Sequence, residues 1–265
     1  LQIAKMEIVG NEWQEMGIVT QDTSEYEGLD PSFKIAVINT EDNADYTPPV
    51  GVKGEYDRLN EIQSKEQSLV LQYDELPPGH TGIAQKTFYT LNDAQKRSFL
   101  TYDYMKMYVY GNSPMITSDE TNVEVSMRFG LGDDAYEITQ PVYTGWDEDE
   151  GRNSFMINLN WLTELKQQDT SKVEKYNPTD IITDSAQVRK YYFTDENGDM
   201  TGKRIMITGK PALNRLQYFM VGLKNTSSAP ISGEVWLDEL RLSGVKKEKG
   251  MAMRIQSKLN FSDLG

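Results

Sequence analysis

The sequence predicts an all-β fold: an antiparallel, jelly-roll-like β-sandwich with one or two short helices. Three observations carry this. The first is the stretch Ile231-Ser-Gly-Glu-Val-Trp-Leu-Asp-Glu-Leu-Arg-Leu-Ser-Gly244, which reads as a period-2 strand bounded by glycines. In such a strand Val235, Leu237, Glu239 and Arg241 point one way, and Trp236, Asp238, Leu240 and Leu242 the other. The second is the aromatic content: 15 Tyr, 8 Phe and 4 Trp sit within strand-like runs, as in sandwiches whose aromatics fill the space between two sheets. The third is punctuation: short apolar runs alternate with Gly, Pro, Asn and Asp clusters, and only two stretches carry a helical pattern.

Taken in order, Ala4–Val9 is a first strand, followed by Glu12-Trp-Gln-Glu-Met-Gly17. Phe33–Asn39 is a second. Tyr46-Thr-Pro-Pro-Val-Gly51 is held extended by its double proline. Residues 52–66 are polar and read as a long loop or a partly helical excursion. Ser68–Tyr73 resumes β structure and stops at Pro77-Pro-Gly-His80. Thr87–Thr90 is short and β-like, and Asn92–Arg97 suits one helical turn capped by Asn92. In Tyr104–Tyr110, Met105, Met107 and Val109 share one face, and Tyr104, Lys106, Tyr108 and Tyr110 the other. Val123–Phe129 and Ala135–Thr139 form a hairpin across Gly130-Leu-Gly-Asp-Asp134. Ser154–Leu159 is a strand, and Asn160–Gln168, with Asn160 as cap and Trp161, Leu162 and Leu165 in helical spacing, is the best helix. Tyr191–Thr194 and Lys203–Thr208 flank an Asn197-Gly198 turn. Leu216–Leu223 is a buried strand that precedes the closing one. Residues 1–249 therefore read as one sandwich module. Residues 250–265 alternate again and read as a strand leading out of it, into the next element of a longer chain.

Composition narrows the function. The net charge of −14 repels a phosphate backbone, which argues against nucleic acid and anionic membrane surfaces as partners. With no cysteine there is no disulfide, thiol catalysis or zinc–thiolate site. His80 is the only histidine and nothing near it reads as an activated nucleophile, so Ser-His-Asp chemistry has no support. The chain lacks an initiator Met and a signal-peptide pattern, and reads as a segment of a longer protein.

Each candidate site has a plainer alternative. Asp195-x-Asn197-x-Asp199 opens like an EF-hand loop, but Met200 and Met206 occupy the positions that need Gly and a carboxylate, so a solvated Asn-Gly hairpin is the better reading. Asp147 and Asp149 lie in an acidic loop that reads as solvated rather than as a calcium site. Asp238 reads as a buried, hydrogen-bonded acid rather than a calcium ligand. Trp13, Trp146, Trp161 and Trp236 would form a sugar-stacking platform if exposed in a line, with Trp146 the best candidate for exposure; core packing is the commoner fate. Asn225-Thr-Ser227 is a formal glycosylation sequon. Among 41 acidic residues no glycosidase pair can be singled out. No catalytic, cofactor-binding or metal-binding residue is assigned.

Read together, a series of segments in order resembles the SprA/Sov family of Bacteroidota. They are Met6-Glu-Ile-Val-Gly-Asn-Glu-Trp13, Ile38-Asn-Thr-Glu-Asp-Asn43 with Tyr46-Thr-Pro-Pro-Val-Gly51, and Lys65-Glu-Gln-Ser-Leu69. Tyr102-Asp-Tyr-Met-Lys-Met-Tyr-Val109, Met127-Arg-Phe-Gly130 with Tyr136-Glu-Ile138, Gly209-Lys-Pro-Ala-Leu213 and Gly233–Leu242 continue the series. Asp238 stands where the family often has Asn, and Ala135-Tyr136 replaces a double Tyr. The resemblance implies a non-catalytic structural or cap module, without cofactor, of the type IX secretion translocon. That is a giant outer-membrane β-barrel which exports folded cargo and is tied to gliding motility. Its implied partners are the rest of the parent barrel, a PorV-type barrel protein, plug proteins and secreted cargo; its implied place is the outer membrane, with the extracellular side preferred over the periplasmic one because barrel proteins carry their larger insertions there. The alternative is a carbohydrate-binding jelly roll of a cell-surface protein, and a third reading is a divergent hydrolase on a sandwich scaffold.

Overall fold

The structure is a computed structural model. It describes residues 4–6, 13–20, 28–54, 56–57, 61–87, 99–114, 116–117, 120–146, 152–169, 179–182, 188–195 and 197–246. The strands are β1 (Ala4–Met6), β2 (Trp13–Val19), β3 (Phe33–Asn39), β4 (Tyr56–Asp57), β5 (Ile62–Gln63), β6 (Gln67–Leu76), β7 (Thr81–Thr87), β8 (Tyr102–Asn112), β9 (Val123–Leu131), β10 (Asp134–Pro141), β11 (Gly145–Trp146) and β12 (Phe155–Asn158). After helix α1 (Leu159–Lys166) come β13 (Thr179–Ile182), β14 (Val188–Thr194), β15 (Met200–Thr208), β16 (Tyr218–Asn225) and β17 (Ile231–Val245). The predicted turn of helix at 92–97, the acidic pair Asp147 and Asp149, and the tail 250–265 lie outside the described residues.

Two antiparallel sheets face each other, as the alternation predicts. One runs β11-β8-β17-β6-β3, with β1 also paired to β17 and β12 to β8; the other runs β13-β14-β15-β10-β9-β16-β7-β2. The closing strand β17 thus lies between β6 and β8, far from it in sequence. In the facing sheet β16 lies between β7 and β9 in the same way.

The interior is filled from both sheets: Leu69, Leu71, Met105, Met107, Val109, Val235 and Leu237 from the first, and Val125, Met127, Phe129, Tyr136, Val221 and Leu223 from the second. Burying each such side chain contributes roughly 1.5–3 kcal/mol against leaving it in water. Phe129 stacks on Phe219 with ring centroids 6.0 Å apart. Close approach of the sheets depends on Gly82 of β7, where any Cβ would run into the buried ring of Phe33. The hairpin between β9 and β10 turns at Gly132-Asp133, with Gly132 at φ +58, which glycine adopts without steric cost.

Three local readings need correction. The cap of α1 is Asn158, whose side chain accepts from the backbone N–H of Asn160, so the helix starts before the predicted cap. In the polar stretch 52–66 the described residues include the two short paired strands β4 and β5, and none of them is helical. The sequence does not predict strand β7, Thr-Gly-Ile-Ala-Gln-Lys-Thr; it precedes the predicted short strand Thr87–Thr90, whose residues 88–90 lie outside the described residues. Gly, Ala, Gln and Lys carry little strand signal, and the neighbours β16 and β2 make this segment a strand.

The largest correction concerns β17. Strict alternation would place Leu240 and Leu242 on the same face as Trp236 and Asp238. Instead the register against β8 shifts between Asp238 and Arg241, and Glu239 sits at φ +45. This bulge adds one residue and reverses the facing of everything beyond it. Val235 and Leu237 before it, and Leu240 and Leu242 after it, all enter the same core.

Candidate functional site

The most elaborated surface is the outer face of the first sheet, the side turned away from the core. Register builds it row by row. Lys34 pairs with Gln72 and Gln72 with Glu234; Ala36 pairs with Val70, Val70 with Trp236, and Trp236 with Tyr110; Ile38 pairs with Ser68, and Asp238 with Tyr108. The segment between β3 and β4 folds back over these rows as a strap. Asn39, at the end of β3, starts it: its amide oxygen accepts from the N–H groups of Glu41 and Asp42, and its Nδ2 donates to Asp42. Lys65 Nζ lies 3.2 Å from Asp42. The Asn39 amide first, and then Lys65, hold the Asp42 carboxyl below the usual carboxylate range.

Under the strap lies a second, smaller apolar cluster of Tyr46, Val70 and Trp236, with Ala36, Ile38, Tyr110 and Trp146 against it. Tyr110 stacks on Trp236 at 4.4 Å between centroids and 11° between planes, and Tyr46 meets Trp236 edge-on at 5.7 Å. The Trp236 indole N–H donates to Glu234, and that of Trp146 donates to the carbonyl of Thr47 in the strap. The Tyr46 hydroxyl lies 2.7 Å from Ser68 Oγ and donates to Asp238. Burial first, then the negative charge of Asp238, pushes the Tyr46 phenol up.

Trp146 is placed by a residue that sequence reasoning misses. Asn153 is fully buried; its Nδ2 donates to the carbonyls of Tyr143 and Gly145, and its Oδ1 accepts from the N–H of Tyr143. This pins β11 onto β8. A lone Asn in a Gly-Arg-Asn-Ser turn carries no sequence signal for such a role.

The candidates named from the sequence do not converge. Trp13 packs edge-on against Phe219, Trp161 packs against the main core, and Trp146 and Trp236 alone share the strap cluster. The four do not form an exposed line. Asp238 is buried and hydrogen-bonded, as expected. Asp195 uses its carboxylate to accept the N–H groups of Asn197 and Asp199, which makes the Asn-Gly tip a self-braced turn. Asn225 is fully buried and its amide donates to the carbonyls of Leu76 and Ala229, so the sequon is inaccessible in the folded chain. His80 holds its Nδ1 at 3.0 Å from the Pro78 carbonyl, within its own loop. Among the described residues no group of three or more His, Cys, Asp or Glu is placed to hold a metal ion.

No helix among the described residues is long and apolar enough to cross a membrane. No curated protein matches the chain. Among solved structures, one described as an exo-beta-agarase superposes with a TM-score of 0.46 at 9% identity; the match covers 91% of this chain and 24% of that one. The model of the SprA_N family, described as a motility related/secretion protein, matches residues 1–265. The chain belongs to the SprA_N family of motility and secretion proteins.

Proposed function

We propose that this sandwich is a non-catalytic structural or cap module of the outer-membrane translocon of the type IX secretion system, on the extracellular side. The observation that carries the reading is membership of a motility and secretion family along the whole chain. The fold suits the role: two antiparallel sheets packed face to face, with a strap laid over the outer face of one, make a rigid structural module. The rest of the parent barrel, a PorV-type barrel, plug proteins and cargo are the partners this reading assigns. Residues 250–265 then continue into the barrel wall.

The absence of cysteine gives a clean test of place. Val50, 75% exposed at the top of the strap, takes a single Val50→Cys substitution in the parent protein. A membrane-impermeant maleimide added to intact cells is expected to label it, with the unsubstituted parent as control. Labelling only after the outer membrane is opened would place the module on the periplasmic side. Excision of the module is expected to abolish cargo export while purified module turns over no glycoside, ester or peptide; export at the normal rate without it would end the translocon reading.

A further inference from the structure

A cavity of about 260 Å³ opens between the strap and the segment that leads into β6. Its walls include Thr40, Gln63 and Ser64, with Pro48 and Val52 as apolar contacts. Glu66 also lines it and is 6% exposed. Backbone pairing fixes Glu66 there: its carbonyl accepts from the N–H of Thr40, and its own N–H donates to Thr40 Oγ1. One carboxylate oxygen is left over: Oε2 is buried and meets no hydrogen-bond donor among the described residues. The nearby hydroxyls of Tyr46 and Ser68 are committed to each other and to Asp238, and the Lys65 ammonium to Asp42.

A buried carboxylate without a donor is costly, and it is offset by a cation or by a strong donor that enters the site. Lys53 and Lys65 also border the cavity, but both are exposed, and Lys65 is paired with Asp42. Calcium fits poorly, since it needs about 6–8 oxygen ligands and only Glu41 and Glu66 supply carboxylates to this wall. A cationic group on an aliphatic stem fits both halves of the cavity: the charge meets Glu66, and the methylenes meet Pro48 and Val52. We propose that this cavity binds an alkylguanidinium or alkylammonium group, as carried by an arginine or lysine side chain or by a free diamine. The inference stands on this geometry and is independent of the translocon reading.

The experiment follows the backbone NMR signals of the purified chain during titration with N-acetyl-arginine amide, N-acetyl-lysine amide and 1,4-diaminobutane. N-acetyl-citrulline amide, the neutral analogue of the arginine compound, and Ca²⁺ are the controls. Saturable shifts confined to Thr40, Pro48–Gly54 and Gln63–Glu66 are expected with the cations and absent with citrulline. Saturation by the amino-acid amides alone points to a polypeptide side chain, and saturation by the diamine alone points to a free amine. Glu66→Gln should weaken binding at least about tenfold, the loss of one charge-assisted bond. Gln63→Arg, at an exposed position on the same wall, should supply the cation in cis, raise the melting temperature and abolish the titration. Equal shifts with citrulline, undiminished binding in Glu66→Gln, or the same shifts driven by Ca²⁺ alone would each overturn the proposal. So would Gln63→Arg binding as the parent does.

Discussion

Trp236 shows how one side chain organises a surface. It is buried, yet it faces away from the main core, and its cover is the strap that brings Tyr46 onto it. Trp236→Ala should cost about 3–5 kcal/mol, read as a lower urea midpoint. Tyr46→Phe keeps the ring and removes the hydroxyl shared by Ser68 and Asp238, for a loss of about 1–3 kcal/mol. The phenols also set an alkaline limit. Burial pushes Tyr136 up to about 12, and Tyr46 shifts in the same direction, against an ordinary value of 10.0. A group whose folded pKa is raised stabilises the fold below its unfolded pKa. That contribution is lost as pH rises from 10.0 toward 12. Denaturation midpoints of the parent should therefore fall across this window. The double variant Tyr46→Phe/Tyr136→Phe should fall less steeply; parallel slopes would show that these phenols do not set the limit.

At the scale of the element, the bulge in β17 decides the core. Leu237 and Leu240 are three apart and face the same way, which a regular strand forbids. Glu239 is the extra residue, buried and ion-paired with Arg241. Deleting Glu239 would remove the extra residue and leave Leu237 and Leu240 two apart, so a regular strand would keep Leu240 and Leu242 on the core face. The deletion should therefore be tolerated about as well as Glu239→Ala, whereas inserting a second residue beside Glu239 would turn Leu240 and Leu242 out and should be far more damaging. Equal midpoints for the insertion and Glu239→Ala would show that facing beyond the bulge does not matter. The strap is a second such element: Asn39 starts it, and Thr47 ties it to Trp146. Amide exchange at Tyr46, which donates to the Asn43 carbonyl, should accelerate in Trp146→Phe, where the bond to Thr47 is gone.

For the whole molecule, the consequence lies in strand order. β17 fills the slot between β6 and β8, so the first sheet stays split until the last strand arrives. A chain truncated after Ser227 should therefore lack a cooperative unfolding transition, although it keeps most of the strands. Folding of the intact chain should be slow, because pairings such as Val70 with Trp236 close long loops before they contribute. A sharp transition in the truncated chain would show that the facing sheet folds alone.

Fold class, most strand positions and the family are legible in the amino-acid order. Period-2 alternation is written locally: Met105, Met107 and Val109 enter the core as their spacing predicts, and Trp236 and Asp238 share a face. The buried fate of Asp238 is legible because it shares a strand face with Trp236. The bulge at Glu239, the strand status of β7, the clamp by Asn153 and the isolation of Glu66 beneath the strap emerge only when the chain is folded. The physical reason is shared. Which face a strand buries is set by side-chain parity, a property of neighbours in the chain. Where parity must break, and which polar group meets a partner, is set by strands and loops that meet only across the sheet.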